Sequence, residues 1–332
     1  MKKMKNLKKN LLKLSTITLG CIGLINTCSA EVNKITIDIQ NGSNYMGMVV
    51  MKKMFWDETA KKHGISTELN LNKVGGPAAA ADRFLSGANQ GMTISYPLIL
   101  TLNEKTNGDA KILFANSMIN MLFNTNSPTI KSPKDFKEGD KIAVTALGKS
   151  IQAVSSKKLA EKIFGDYKYY DKISVQMSHP DAFAALMAGK ITAHWATPPF
   201  AQMELEDKRN STVAKSFDLF GKHHLTAMAV SQKFCTENPK VCDSLYEAYK
   251  KSNDWINADF NRAAAFFKSN VGANEQVEDY LEQLNKKQIE FTYVPQGINS
   301  FASFLHKIDE LKKPLKSWKD ICMPQLHNEN GS

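Results

Sequence analysis

The strongest constraint on the fold is a regular alternation of strand-like and helix-like segments beginning at Lys34. Residues 34–40 (KITIDIQ) alternate apolar and polar side chains, the two-residue period of a half-buried strand, and end at Asn41-Gly42-Ser43. A helix-period segment follows over 46–62 and stops at His63-Gly64. Residues 66–74 read as a second strand running into Gly75-Gly76-Pro77 and an alanine-rich helix through Leu85. Residues 91–95 form a third strand, leading through Tyr96-Pro97 into another helix. Strands alternating with helices, with turn residues at the strand ends, predict an α/β protein with mainly parallel sheets.

The pattern then restarts. Residues 110–126 read as two short strands. Ser132-Pro133-Lys134-Asp135-Phe136 opens a second series: strand 141–145, helix to Phe164, strand 172–177, helix 180–188 and strand 191–196 ending at Thr197-Pro198-Pro199-Phe200. Residues 225–230 are apolar and follow Lys222-His223-His224. Beyond Pro239 helix dominates, with one long helix expected over 242–268 and a late strand at 290–294. Two successive α/β units with no low-complexity linker predict two lobes with a cleft between them.

Charge looks at first like a nucleic-acid signal: 43 basic against 33 acidic residues give +10. Six of the lysines (Lys2, Lys3, Lys5, Lys8, Lys9 and Lys13) lie in residues 1–30, which hold no acid. The other 302 residues carry only +4. Arginine, the residue of planar anion recognition, occurs three times, at Arg83, Arg209 and Arg262. No basic groove with interleaved aromatics is visible, so no nucleic-acid partner is expected. The basic arm is followed by an apolar run over 14–25 and by Cys28-Ser29-Ala30, the pattern of a secretory signal peptide over 1–30 cleaved after Ala30. About a dozen apolar residues are short of the roughly 20 that a membrane span needs. Cys21 and Cys28 follow poor lipoprotein boxes, so soluble, periplasmic export is expected over a lipid anchor. Cys235, Cys242 and Cys322 then remain. Cys235 and Cys242 either close a small disulfide ring or stay as free thiols.

Several fragments resemble a known family. Ser132-Pro-Lys-Asp-Phe-Lys-Glu-Gly-Asp-Lys-Ile-Ala-Val144 looks like the segment that opens the second lobe of type 2 periplasmic solute-binding proteins, closest to the nitrate/sulfonate/taurine (thiamine-pyrimidine-like) group serving ABC importers. Gly75-Gly76-Pro77 before Leu85-Ser86-Gly87 is similar, as are His179-Pro180-Asp181-Ala182 before Ala188-Gly189-Lys190-Ile191, and Pro198-Pro199-Phe200. Asn253-Asp254-Trp255-Ile256 and Leu315-Lys316-Ser317-Trp318-Lys319-Asp320 extend the likeness to the C-terminus. The chain departs from the pattern at Met92-Thr93 and Thr192-Ala193, where the family usually has an acidic residue. The resemblance implies a two-lobed Venus-flytrap fold with two hinge strands, near 121–126 and 225–230, and C-terminal helices that return to the first lobe. Lobe 1 would be 31–122 plus 228–332, and lobe 2 would be 123–227. It also implies a solute as ligand, a cognate ABC permease in the inner membrane as partner, and a monomeric receptor without a cofactor. Relatives of the same architecture include enzymes making thiamine-pyrimidine or menaquinone precursors, and a ligand-sensing module without transport is a further alternative.

Open α/β sheets bind ligands outside the carboxyl ends of their strands. That rule selects the loops 41–45, 75–77, 95–97, 145–151 and 194–198. The candidate ligand-binding residues are Ser43, Asn44, Tyr45, Gly76, Ser95 and Tyr96 in lobe 1. In lobe 2 they are Thr145, Gly148, Lys149, Ser150, His179, His194, Trp195 and Thr197. Gly148 permits a tight turn and Ser150 caps a helix whose free N–H groups suit an anion. Gly148-Lys149-Ser150 is not a nucleotide-binding loop, because the first glycine of that motif would fall at Ala143. Tyr45, Tyr96 and Trp195 are expected as aromatic walls, and His179 and His194 as neutral donors or titrating contacts. There is no HExxH, no GxSxG and no cysteine–histidine arrangement, so neither a catalytic nor a metal site is expected.

Overall fold

The computed structural model describes residues 31–271 and 275–332. The expected signal peptide over 1–30, with Cys21 and Cys28, lies outside the described residues. Two sheets organise the rest. The first holds six strands in the order β11-β4-β10-β3-β1-β2: β1 (Lys34–Ile39), β2 (Glu68–Lys73), β3 (Gly91–Ile94), β4 (Ala110–Met118), β10 (His224–Ser231) and β11 (Glu290–Phe291). The second holds five in the order β7-β6-β8-β5-β9: β5 (Leu122–Thr125), β6 (Ile142–Val144), β7 (Ser174–Gln176), β8 (Ala193–Ala196) and β9 (Ser211–Lys215). β1, β2 and β3 run parallel, as do β6, β7 and β8, whereas β10 and β5 run antiparallel to their neighbours. The parallel pairs need helical crossovers, which the alternating sequence supplies.

In the first lobe, α1 (Met46–Val50) continues through one π turn, Met51–Phe55, into α2 (Trp56–Lys62), so the single helix read from 46–62 carries a wide turn at its centre. α3 (Pro77–Leu85) and α4 (Tyr96–Lys105) connect the next strands. The second lobe holds α5 (Ile151–Phe164), α6 (His179–Met187), α7 (Phe200–Glu206) and the short α8 (Phe217–Phe220). After β10 come α9 (Gln232–Glu237), α10 (Pro239–Ala258), α11 (Phe260–Val271), α12 (Val277–Asn285) and α13 (Ile298–Lys307). The long helix expected over 242–268 breaks at Asp259. That residue is extended, and its carboxylate accepts the Arg262 N–H at 3.0 Å, the action of a cap that starts a new helix. β11 and the C-terminal helices return to the first sheet, and the phenol of Tyr249 on α10 reaches Asn116 of β4.

Among the described residues the chain crosses between the sheets twice. The first crossing lies at 119–121, between β4 and β5. The second lies over 216–223, between β9 and β10; residues 225–230, which the resemblance implied as a hinge crossing, are an interior strand of the first sheet. The two crossings are stitched together. Ser216 N–H donates to the Met121 carbonyl at 3.0 Å, Met121 N–H donates to Ser216 Oγ at 2.9 Å, and Phe217 N–H donates to Asn120 Oδ1 at 3.0 Å. Beside them the chain end grips α5: Lys157 pairs with Glu310, Lys307 pairs with Glu161, and the Lys158 ammonium sits 4.8 Å above the Phe304 ring.

Core packing follows the strand period. Along β8, Ala193 and Trp195 face α5, while His194 and Ala196 face the other side of the sheet. Trp195 stacks on Phe123 with centroids 4.6 Å apart and donates its indole N–H to Ser156 of α5 at 2.9 Å. Cys235 and Cys242 are joined as a disulfide, and Cys322 is free and buried. Among the described residues no helix is long and apolar enough to cross a membrane.

Candidate functional site

The carboxyl edge of the second sheet gathers most of the lobe 2 candidates. Thr145 directly follows β6, Thr197 directly follows β8, and His179 begins α6 just beyond β7. Gln152, in the first turn of α5, lies between them. Thr145 Oγ donates to Gln152 Oε1 at 2.9 Å, and the Gln152 amide nitrogen meets His179 Nε2 at 3.3 Å. Thr197 Oγ lies 3.2 Å from the same ring nitrogen. On its other side, His179 Nδ1 lies 2.9 Å from His194 Nε2, and His194 Nδ1 lies 2.6 Å from Glu204 Oε1 on α7.

This chain of groups is anchored from behind. Asn124 of β5 sits opposite His194 in register, donates to Glu204 Oε2 at 2.8 Å and to the Ala201 carbonyl at 3.0 Å, and accepts from the Thr212 hydroxyl at 2.7 Å. Glu204, Asn124 and His194 are all buried. A carboxylate in such a place requires full pairing, and both its oxygens face donors. Burial, followed by the neighbouring His194, holds His179 down at about 3, so its ring is neutral at ordinary pH.

Of the lobe 2 candidates, Thr145, His179, His194 and Thr197 therefore come together, joined by Gln152 and Glu204, which sequence reading missed. Trp195 does not join them. Adjacent strand residues point to opposite faces, so placing His194 in this network commits Trp195 to the hydrophobic core. At the mouth of the same edge, Gly148 takes a left-handed φ of 74° and Lys149 is exposed. Ser150 caps α5 as expected, accepting the Ala153 N–H at 3.2 Å. The free N–H groups of a 14-residue helix thus open onto the loop.

The lobe 1 candidates sit in separate environments. Ser43 is buried and donates to Gln283 of α12 at 2.6 Å, while Asn44 offers its carbonyl to Asn116 at 2.8 Å. The Tyr45 hydroxyl bonds Gln40, whose amide donates to the Thr93 carbonyl at 3.2 Å. Burial raises the phenol pKa of both Tyr45 and Tyr96, and neither ring presents an exposed wall. Tyr96 opens α4 between the rings of His224 and Phe301, with centroids 6.3 and 6.2 Å away, beside the crossing. Gly76 and Ser95 occupy the residues just before α3 and α4. Arg83 is spoken for: it pairs at 2.8 Å with Asp38, a buried carboxylate that Asn72 and Asn89 also satisfy.

Two α/β lobes joined by a pair of crossings, with ligand-type groups on a carboxyl sheet edge, define the periplasmic binding protein fold. The NMT1/THI5-like family profile matches residues 61–263. The chain belongs to that family. Among solved structures, it is similar to the ligand-binding component of an ABC-type import system from Staphylococcus aureus, solved with zinc bound. That match has a TM-score of 0.69 at 15% identity and covers 90% of this chain and 99% of the other. The periplasmic aliphatic sulphonate-binding protein of Escherichia coli matches with TM-score 0.66 and 13% identity over 88% and 99% of the two chains. The nitrate-binding protein of Synechocystis matches with TM-score 0.64 and 13% identity over 88% and 85%. No significant relative was found among curated protein sequences. Among the described residues no group of three or more histidine, cysteine or acidic side chains is arranged to hold a metal ion.

Proposed function

We propose that this chain is the extracytoplasmic solute-binding component of an ABC importer, taking one small polar or anionic organic solute between its lobes. The observation that carries the reading is the Thr145–Gln152–His179–Thr197 cluster, set beside the capped N-terminus of α5 on the carboxyl edge of the second sheet. A helix N-terminus favours an anion by about 0.3–1 kcal/mol at an exposed position. The hydroxyl, amide and imidazole groups add directional contacts, and Lys149 adds a charge at the rim. The lobe 1 contribution would come from the loops holding Ser43, Asn44, Gly76 and Ser95, so a bound solute would favour the closed arrangement by touching both lobes. Export through the 1–30 leader, a monomeric state and delivery to an inner-membrane permease complete the reading.

The test is a thermal-melt screen of the chain beginning at Glu31 against sulfonates, carboxylates, nitrate, amino acids and pyrimidines. Saturating a specific solute at 100 times its Kd stabilises the folded state by about 2.7 kcal/mol, a rise in melting temperature that is easily seen. A flat response across the panel would sink the proposal.

A further inference from the structure

The network at the second sheet edge has a direction, and that direction can be read from its fixed end. The Ala201 carbonyl and the Thr212 hydroxyl fix the orientation of the Asn124 amide, so its N–H points at Glu204 Oε2. Glu204 as a carboxylate then accepts from both neighbours, and His194 carries its proton on Nδ1. His194 Nε2 is left as an acceptor, so His179 must donate from Nδ1, and His179 Nε2 in turn accepts from Thr197 and Gln152. Gln152 Oε1 takes the Thr145 hydroxyl hydrogen. Every hydrogen along the chain points inward, and the two threonines turn lone pairs outward.

Adding one proton to the buried His194–Glu204 pair reverses all of it. His194 Nε2–H then donates to His179 Nδ1, and His179 Nε2–H donates outward. The Gln152 amide turns over to accept from His179 and donate to Thr145. The hydroxyl hydrogens of Thr145 and Thr197 are released toward the sheet edge. The outcome beyond His194 is the same wherever the proton sits within the pair.

We infer that Glu204, His194 and His179 form a proton-linked polarity switch, so that an anionic solute at this edge binds together with one proton. This rests on the solute-receptor reading above and narrows the ligand to a hydrogen-bond acceptor taken up with a proton. The titratable group facing His179 is His194, which in turn faces Glu204. Asp181 on its own helix is engaged by Ser178, and α5 presents the uncharged Gln152. His179 itself resists charging, held at about 3 by burial and by His194, so it responds by exchanging the nitrogen that carries its hydrogen. One proton enters from solvent, only N–H and O–H hydrogens change places, and the buried pair's negative charge is neutralised as the solute's charge arrives.

The test uses the chain from Glu31 with ¹⁵N-labelled histidine. At pH 8 the spectrum of the ligand-free protein should show His179 protonated on Nδ1. Lowering the pH should move that hydrogen to Nε2 while the ring stays neutral. Glu204→Gln gives a sharper outcome. Its carbonyl must face Asn124 and its amide must face His194, which locks His179 in the Nε2–H form at every pH. An unchanged His179 tautomer in both experiments, or an imidazolium at His179 near neutrality, overturns the switch. The wild-type titration decides the matter even if Glu204→Gln fails to fold.

Calorimetry with ethanesulfonate, benzoate and nitrate in two buffers of different ionisation enthalpy supplies the linkage. Uptake of about one proton per bound anion, with affinity rising about tenfold per pH unit lowered, is expected for wild type. Anion binding with no proton exchange overturns the linkage. Absence of binding by all three removes the anionic-solute reading, while the tautomer measurement still decides the switch.

Discussion

The two buried histidines at the second crossing make the stability of this protein depend on pH in a defined window. His223 donates from Nδ1 to the His224 carbonyl at 3.2 Å, and its Nε2, 3.0 Å from Ser216 Oγ, accepts that hydroxyl's hydrogen. His224 donates from Nε2 to the Thr292 carbonyl at 3.0 Å, and its Nδ1 accepts the Gln296 N–H at 3.2 Å. Each ring therefore holds one nitrogen that must stay unprotonated, and both rings are fully buried. Burial, the leading cause in each case, lowers His223 to about 4 and His224 to about 3, from the ordinary histidine value of 6.5. A depressed histidine pKa means that the unfolded chain binds the proton first. Stability is then complete above about pH 6.5 and declines as pH falls through 6.5 toward 4.

At pH 5 the linkage relation gives about 2 kcal/mol for each ring, hence about 4 kcal/mol together, and His179, likewise held at about 3 chiefly by burial, adds about 2 kcal/mol more. That is a large share of the roughly 5–15 kcal/mol typical of a folded domain. The carboxylates held low by basic partners fall outside the window. Asp207, held at about 2 chiefly by Arg209, and Glu161 and Glu247, lowered chiefly by Lys307 and Lys62, contribute stability that is lost only as pH falls below the ordinary carboxylate range. The assay is urea denaturation at half-unit steps from pH 7.5 to 5, for wild type and for His223→Gln, which should lose about a third of the slope, because His179 and His224 keep their share. A denaturation midpoint that stays level across that range would refute the reasoning.

Further outcomes follow from the packing. Trp195→Ala removes a ring stacked on Phe123 and leaves Ser156 without its donor, so it should cost about 3–5 kcal/mol in a denaturation experiment. Cys235→Ser with Cys242→Ser opens a ring of sequence separation 7 and should cost about 2.5 kcal/mol, read as a lowered melting temperature that reducing agent reproduces in wild type. Gly297→Ala forces a Cβ to within 2.5 Å of His223 Cβ at a φ of 89°, and should destabilise by about 1–3 kcal/mol. N-terminal sequencing of the exported protein should begin at Glu31.

The sequence made the lobes legible because strand and helix periods are local signals, and those of 34–40, 141–145 and 191–196 are strong. The resemblance put the crossings near 121–126 and 225–230; both runs are largely sheet strands, with the chain passing between the sheets just before each, and only strand pairing separates the two readings. Within the candidate site, the rule that ligands meet the carboxyl ends of strands picked out Thr145, His194 and Thr197, and His179 was added as a polar ring; the four lie together at one sheet edge. The rule also drew in Trp195, because nearness to a strand end was weighed without the facing of alternate residues, which sets His194 and Trp195 apart. Glu204 and Gln152 went unseen for a different reason. Each lies on a helix with an ordinary polar pattern, and only the tertiary packing of α5 and α7 brings them to β8. The one signal for Glu204 was an acid on the first turns after Pro198-Pro199, ten residues from His194.

The central claim is that the two lobes close on a solute. The most direct measurement is native mass spectrometry of the exported protein, purified from its own host without denaturation. The account predicts a population carrying one small molecule per chain, lost on unfolding and displaced in proportion to added competitor. A bare chain that also fails to bind any member of the solute panel would contradict it.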